Sequence, residues 1–177
     1  VMINQTIFVD NLRKRMHVSF ENKFYLESIA CSYAIIENRT KRICEHIGKS
    51  VNGDMLNKKT EYIYNAIKNK GLEIDVKKKK MIGFLQYRIK NTKLLDIDFS
   101  KDYKAFNLTV DNTTLDNQLI TFRKLRNDFT HDMYRYDSTN PKLINFEDYV
   151  DLAKMGIYVA ENLCSISSAM KRKKMKL

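Results

Sequence analysis

The stretch "FENKFYLESIACSYAIIENRTKRICEHI", residues 20–47, decides the fold class of this chain. Its apolar side chains recur at helical spacing: Phe20, Phe24, Cys31, Ile35, Ile43 and Ile47. This spacing keeps one face apolar for about seven turns at about 3.6 residues each. Ser19 is a suitable N-cap before the stretch, and Gly48 suits the position directly after the C-terminus of a helix. The pattern therefore predicts one long amphipathic helix.

Helical patterns also occur on both sides of this stretch. They cover residues 3–17, a run from Asp54 to Lys70, a run from Lys77 to Ile89, a run capped by Thr113 or Thr114, and a last run from Asn145 to about Met170. The pattern breaks down over residues 91–113, where we expect an exposed connection. Long helices with short connections usually pack antiparallel. The predicted fold class is all-α, an up-and-down bundle of four to five main helices.

The composition agrees with a mainly helical chain, because 177 residues include only 5 Gly and 1 Pro. A chain of this length has room for one domain with a proper core. We expect a single helical domain over residues 1–170, followed by a basic C-terminal tail over residues 171–177.

The formal net charge of +11 favours polyanionic partners, with nucleic acid as the natural class. The same charge also fits a lysine-rich surface with no such role. Two clusters concentrate it: Lys77, Lys78, Lys79 and Lys80, and the run at residues 171–176. These clusters are candidates for contacts to the RNA phosphate backbone, or they are solvated faces.

The spacing of the cysteines and the hydropathy of the chain indicate the cellular environment of the protein. Cys31, Cys44 and Cys164 are widely spaced and form no CxxC pair, which predicts reduced thiols rather than disulfides or a zinc site. No apolar run approaches the roughly 20 residues that span a bilayer. We therefore expect a cytoplasmic protein with no membrane partner, no metal and no cofactor.

The segment "RNDFTHDMY", residues 126–134, concentrates reactive side chains at the end of an apolar-patterned run. On a helix, Asn127 and His131 share one face, whereas Arg126 lies about 140° from His131 around the axis. If two copies of this helix met across a two-fold axis, two Arg and two His would converge on one groove. Imidazole and guanidinium groups so placed suit metal-free cleavage of an RNA phosphodiester.

A structural explanation competes with this one. Arg and His in the last turns of a helix complement its macrodipole, and Arg and His at this spacing also occur by chance. The neighbouring side chains carry the same ambiguity. Asp128 and Asp132 either orient Arg and His or are solvated helix charges, and Tyr134 either stacks on bases or packs against the protein.

The helical bundle, the basic charge and "LRNDFTH" together resemble the HEPN (higher eukaryote and prokaryote nucleotide-binding) superfamily. Its hallmark is Arg, four to six residues, then His, often with Asn, Asp or His directly after the Arg. Arg126, Asn127 and His131 match this hallmark. The stretch "SYAIIENRTKRICEHI" is similar to abortive-infection members, without singling out Glu27, Glu37 or Glu45.

The resemblance implies a HEPN-like bundle that dimerises, so that two motifs form one metal-independent RNase site. His131 would then be the general acid and base, Arg126 the transition-state stabiliser and Asn127 an orienting or phosphate-contacting group. Members act as toxins or abortive-infection effectors in bacterial defence, often with an antitoxin or activator as partner. Other members bind RNA, nucleotides or proteins without catalysis, and a helical adaptor with an accidental motif is a further alternative. In one toxin subgroup a Tyr lies two residues after the His, a place that Met133 holds here.

Overall fold

The computed structural model describes residues 5–92, 115–134, 138–139 and 143–176, apart from the side chains of residues 115–118, 132 and 134. These ranges contain no strand, which confirms the all-α class. They hold six α-helices instead of four to five: α1 (Gln5–Glu21), α2 (Tyr25–His46), α3 (Leu56–Lys68), α4 (Val76–Lys90), α5 (Leu115–Tyr134) and α6 (Val150–Lys174). Short 3₁₀ helices at Lys70–Leu72 and Phe146–Tyr149 precede α4 and α6.

The centre of the bundle is the pair α2 and α6, which pack along each other in the same direction. Ser32 of α2 lies beside Gly156 of α6. Further along both helices, His46 of α2 and Lys174 of α6 line the same cleft. Helix α1 runs the opposite way against both, because Ser28 donates to the carbonyl of Met16 while Arg13 bonds to Glu161.

Helices α4 and α5 lie one after the other along α6. Arg88 of α4 donates to Ser165 at 2.9 Å, whereas Phe129 of α5 packs on Tyr149 with the ring centroids 4.1 Å apart. At a second point along each helix, Lys78 of α4 lines a cleft with Lys174 and Phe122 of α5 lies beside Gly156. Both helices therefore run opposite to α6 and parallel to each other. This arrangement departs from a simple up-and-down bundle, in which each helix reverses the direction of the one before it. The connection predicted over residues 91–113 lies largely outside the described residues, as do Thr113 and Thr114.

The core lies where α2, α5 and α6 meet. Its largest fully buried side chains include Ile35, Ile36, Phe122, Leu152 and Met155. Helix α3 closes one side of α2 with Leu56 and Ile63, which are also buried. None of the helices in the described ranges combines the length and apolarity needed to cross a bilayer.

Several predicted helix boundaries are wrong. Ser19 does not cap α2 but lies buried in α1, and the chain turns at Lys23, whose φ is 62°. Helix α3 begins after Met55 instead of Asp54. Asn145 does cap, accepting from the amide of Glu147 at 3.3 Å, although it starts the 3₁₀ helix before α6.

The basic run at the C-terminus also differs from the prediction. Helix α6 continues through Lys174, so residues 171–174 form its last turn and not a separate tail. Cations in the last turn of a helix interact favourably with its macrodipole, which supports this extension.

Candidate functional site

Helix α5 carries the Arg, Asn and His of the motif in its last two turns. Arg126 is half-buried, and its Nη1 donates to Oδ1 of Asn127 at 3.3 Å. Thr130 returns a hydrogen bond from Oγ1 to the backbone carbonyl of Arg126 at 2.8 Å. On one side, the guanidinium is therefore held by Asn127 of its own helix.

A tyrosine of α2 holds the other side of Arg126. The guanidinium carbon lies 4.2 Å from the centroid of the Tyr33 ring, a cation–π arrangement. Arg123, one turn earlier on α5, adds a second positive charge close to the same tyrosine. The position of Arg126 thus depends on how α5 packs against α2.

Tyr33 is in turn anchored by an acidic group. Its hydroxyl donates to Oε1 of Glu37 at 3.1 Å, and the other oxygen of Glu37 pairs with the buried ammonium of Lys59 from α3. Burial raises the pKa of Tyr33, and the negative charge of Glu37 and this hydrogen bond raise it further, so the phenol stays protonated. A chain of contacts therefore joins α3, α2 and α5 at the motif arginine.

His131 differs from Arg126 in being exposed to solvent in the last turn of α5. It follows Arg126 by five residues, about 7.5 Å along the axis. Apolar groups are also exposed around this end of the bundle, where Met133, Phe146 and Leu143 are 44%, 52% and 100% exposed. The chain therefore combines a fixed cation with a solvent-facing imidazole, and the end of the bundle that carries them is partly apolar.

The other predicted site residues fall into three groups. Asp128 is half-buried on α5 near the motif. Asp132 and Tyr134 lie within α5, but their side chains are outside the described part of the chain. Lys77, Lys78, Lys79 and Lys80 form the first turn of α4 behind the N-cap Asp75.

These lysines are not brought to the motif. Lys77 and Lys78 line a cleft with His46, which is thirteen residues beyond Tyr33 on α2, or about 20 Å along the helix. Lys78 also pairs with Glu73 at 2.8 Å, and Lys79 donates to the carbonyl of Gly71 at 3.3 Å. Any role of the lysines in RNA binding is therefore separate from the Arg and His positions within this chain.

The residues that position Arg126 were not predicted from the sequence. Tyr33 and Glu37 are four apart and therefore share a face of α2, which is the signal that was present. That signal does not say which helix packs on this face, and Lys59 lies on a third helix.

Comparison with protein-family models, with curated proteins and with solved structures gives no match for this chain. Within the described residues, no three His, Cys, Asp or Glu side chains come together as a potential metal-ligand set. The function is therefore inferred from the chemistry of the residues around Arg126 and His131.

Proposed function

We propose that this chain is a metal-independent endoribonuclease of the HEPN type, with an Arg and His site shared across a homodimer. The observation that carries the proposal is the fixed Arg126 guanidinium, held between Tyr33 and Asn127, at the same helix end as the solvent-facing His131. A nuclease site needs both properties. The cation must be pre-positioned to stabilise developing charge, and the imidazole must reach the substrate.

The reaction uses two copies of the motif. His131 of one protomer takes the proton of the ribose 2′-hydroxyl, whose oxygen attacks the adjacent phosphorus. The bond from phosphorus to the 5′-oxygen breaks, and the second protomer's imidazole gives that oxygen its proton. Arg126 stabilises the extra negative charge on the phosphoryl oxygens. The products are a 2′,3′-cyclic phosphate and a 5′-hydroxyl.

Exposed apolar groups support dimerisation through the end of the bundle that carries His131. Met133 lies two residues after the imidazole, and Phe146 begins the 3₁₀ helix that packs on α5 through the contact between Tyr149 and Phe129. Burying such groups between two copies is favourable, and a two-fold axis would bring the two His131 side chains together.

The proposed biological setting rests on the resemblance of Arg126, Asn127 and His131 to the HEPN hallmark. We propose a cytoplasmic toxin or abortive-infection effector in bacterial defence, restrained by an antitoxin or switched on by an activator. A second candidate is a non-catalytic HEPN module that binds RNA, a nucleotide or a partner protein. The net charge of +11 favours RNA among these partners.

The test is an RNA cleavage assay in excess EDTA, with a sizing measurement on each protein. The proteins are wild type, Arg126→Ala, His131→Ala and the control Lys124→Ala, which removes an exposed cation from the same helix. We expect the wild type and the control to be dimers that leave 2′,3′-cyclic phosphate ends. The other two variants should lose about 100-fold or more in rate.

Three results would count against this proposal. If all four proteins cut equally, the activity does not come from the motif. If none cuts but all bind RNA, the non-catalytic module is the better description. A strictly monomeric wild type that still cuts would exclude the shared site.

A further inference from the structure

A cleft of about 330 Å³ opens between α1, α2 and α6, away from the end of the bundle that carries His131. Its walls are rich in cationic and imidazole side chains: Arg13, Arg39, Arg42, His46, Lys171 and Arg172. Residues 150 and 171 of α6 are about 30 Å apart, so this cleft is remote from the α5 motif within one protomer.

The positive charges in this cleft are only partly neutralised. Arg13 bonds to Glu161 and also pairs at 3.9 Å with Asp10, the one carboxylate among the described residues that line the cleft, and Arg42 pairs with Glu45 at 2.7 Å. Among the residues that the structure describes, no carboxylate lies within ion-pair distance of Lys171, Arg172 or Arg39. The cleft therefore has an uncompensated positive potential.

Arg39 gives a second indication that the cleft receives an anion. Its Nε is buried and has no hydrogen-bond partner within the described part of the chain. The thiol of Cys164, a weak acceptor, lies beside the same guanidinium. A buried donor without an acceptor is unfavourable, and an acceptor oxygen on a ligand would satisfy it.

A second cleft of about 280 Å³ lies next to the first, and His46 lines both. The second cleft adds Lys77 and Lys78 from α4 and Lys174 from α6, together with the carboxylate of Asp75, and Lys78 is paired with Glu73. From Cys164 to Lys174 the two clefts follow about 15 Å of α6. We call these two neighbouring clefts the basic track.

The cationic field of the track also acts on His46. Its pKa is lowered first by burial and then by the positive charges of Arg42, Lys174 and Lys171. An elongated positive surface of this kind suits a chain of negative charges better than a single anion. In duplex nucleic acid, each strand carries one charge per about 3.4 Å of axis.

We propose that the basic track binds the sugar-phosphate backbone of an RNA strand, at a site separate from the cleavage motif. The choice of RNA rests on the proposed function, whereas the phosphate chemistry rests on the track itself. Contacts from Arg and Lys to phosphates carry no sequence information, so binding here positions the strand without selecting bases.

The test measures binding of a labelled single-stranded RNA in a His131→Ala background, so that no cleavage interferes. The track variant is Arg42→Gln/Lys171→Gln/Arg172→Gln. The control, Lys58→Gln/Lys68→Gln/Lys90→Gln, removes three exposed lysines that line neither cleft. We expect the track variant to bind about tenfold more weakly or worse. The slope of log affinity against log salt should also fall by about 2, since three contacts each contribute about 0.7.

The control should stay within about twofold of the parent and have nearly the parent slope. Equal losses in the two triple variants would overturn the proposal, as would displacement of RNA by inorganic phosphate at low concentration, which indicates a single-phosphate site. Thermal unfolding checks folding. The double variant Lys171→Gln/Arg172→Gln, at exposed positions, repeats the test if the triple variant misfolds.

Failure of this proposal is distinguishable from failure of the proposed nuclease function. Binding is measured in a protein without its catalytic histidine, so an inactive nuclease leaves the result unchanged. Conversely, if the track does not bind RNA, the cleavage assay of Arg126 and His131 still tests the nuclease proposal independently.

Discussion

Arg126 owes its position to a residue on another helix. Its guanidinium stacks on Tyr33, so changing the ring should affect the proposed cleavage, although Tyr33 is not expected to touch the substrate. We predict that Tyr33→Leu lowers kcat about tenfold, from loss of a cation–π contact of about 1–2 kcal/mol, with little change in KM. Tyr33→Phe keeps the ring and should retain most activity. Equal losses in both variants would show that the hydroxyl, and not the ring, is what matters.

His46 should make stability depend on pH. Its pKa in the folded protein is lowered by burial and by neighbouring cations, so below about pH 6.5 the unfolded chain binds more protons than the folded one. The contribution of His46 is therefore fully present above that pH and is lost as pH falls towards the folded pKa. We predict that wild type loses more stability than His46→Gln between about pH 7 and pH 5. Urea unfolding across this range measures the difference, and parallel curves for the two proteins would refute it.

At the scale of helices, Gly156 lets α2 and α5 approach α6 closely. A Cβ at this position would clash with Oγ of Ser32 and lie 2.7 Å from Cε2 of Phe122, and both side chains are fully buried. We predict that Gly156→Ala destabilises by about 1–3 kcal/mol, because overpacking outweighs the gain in helix propensity. Gly83→Ala is the control. Its Cβ would meet only Cδ of Lys70 at 3.8 Å, so it should stabilise α4 by about 0.5–1 kcal/mol. Chemical denaturation gives both values, and a stabilised Gly156→Ala would contradict the packing described.

The pair of Glu37 and Lys59 links α2 to α3. Lys59 is almost fully buried, so Glu37→Gln would leave an ammonium without its counter-charge. We predict a loss on the order of 3 kcal/mol in the free energy of unfolding. Glu45→Gln, which breaks the more exposed pair with Arg42, should cost about 1 kcal/mol or less. Denaturant titrations compare them, and equal effects would mean that Lys59 finds another partner.

The helices themselves were largely readable from the sequence, because apolar spacing identifies α2 and its buried Ile35 and Ile43 directly. Helix ends were less so. Ser19 has the right chemistry for an N-cap, but α1 extends through it and buries it, a tertiary effect that local chemistry does not encode. The direction of each helix was also unreadable, because periodicity defines a face and not an orientation. For this reason, the sequence did not predict that α4 and α5 run in the same direction.

At the scale of the whole molecule, the candidate site was predictable only where its residues are neighbours in sequence. Arg126 and Asn127 are adjacent and bond to each other, whereas Tyr33 and Lys59 reach the site from distant parts of the chain. The same holds for the basic track, whose residues are far apart in the sequence. Its lysines were singled out as two separate clusters, and only the fold places Lys77 and Lys78 beside Lys174.

The three cysteines offer a test of the whole bundle, since they sit on its two central helices. Cys31 and Cys44 on α2 and Cys164 on α6 are buried free thiols, and burial raises the pKa of Cys44 to about 12. The thiolate is the reactive form, and an ordinary cysteine is partly ionised at about pH 8.

We predict that a thiol reagent labels all three cysteines at once in concentrated guanidinium chloride, but labels the native protein slowly, Cys44 last. Variants that retain a single cysteine, followed by mass spectrometry, give each rate. The rate for Cys44 should match global unfolding measured by circular dichroism, because its thiol becomes accessible only when α3 separates from α2. Labelling of Cys44 at the rate of a free thiol would show that α3 opens on its own, and the link through Lys59 to the motif arginine would then be broken part of the time.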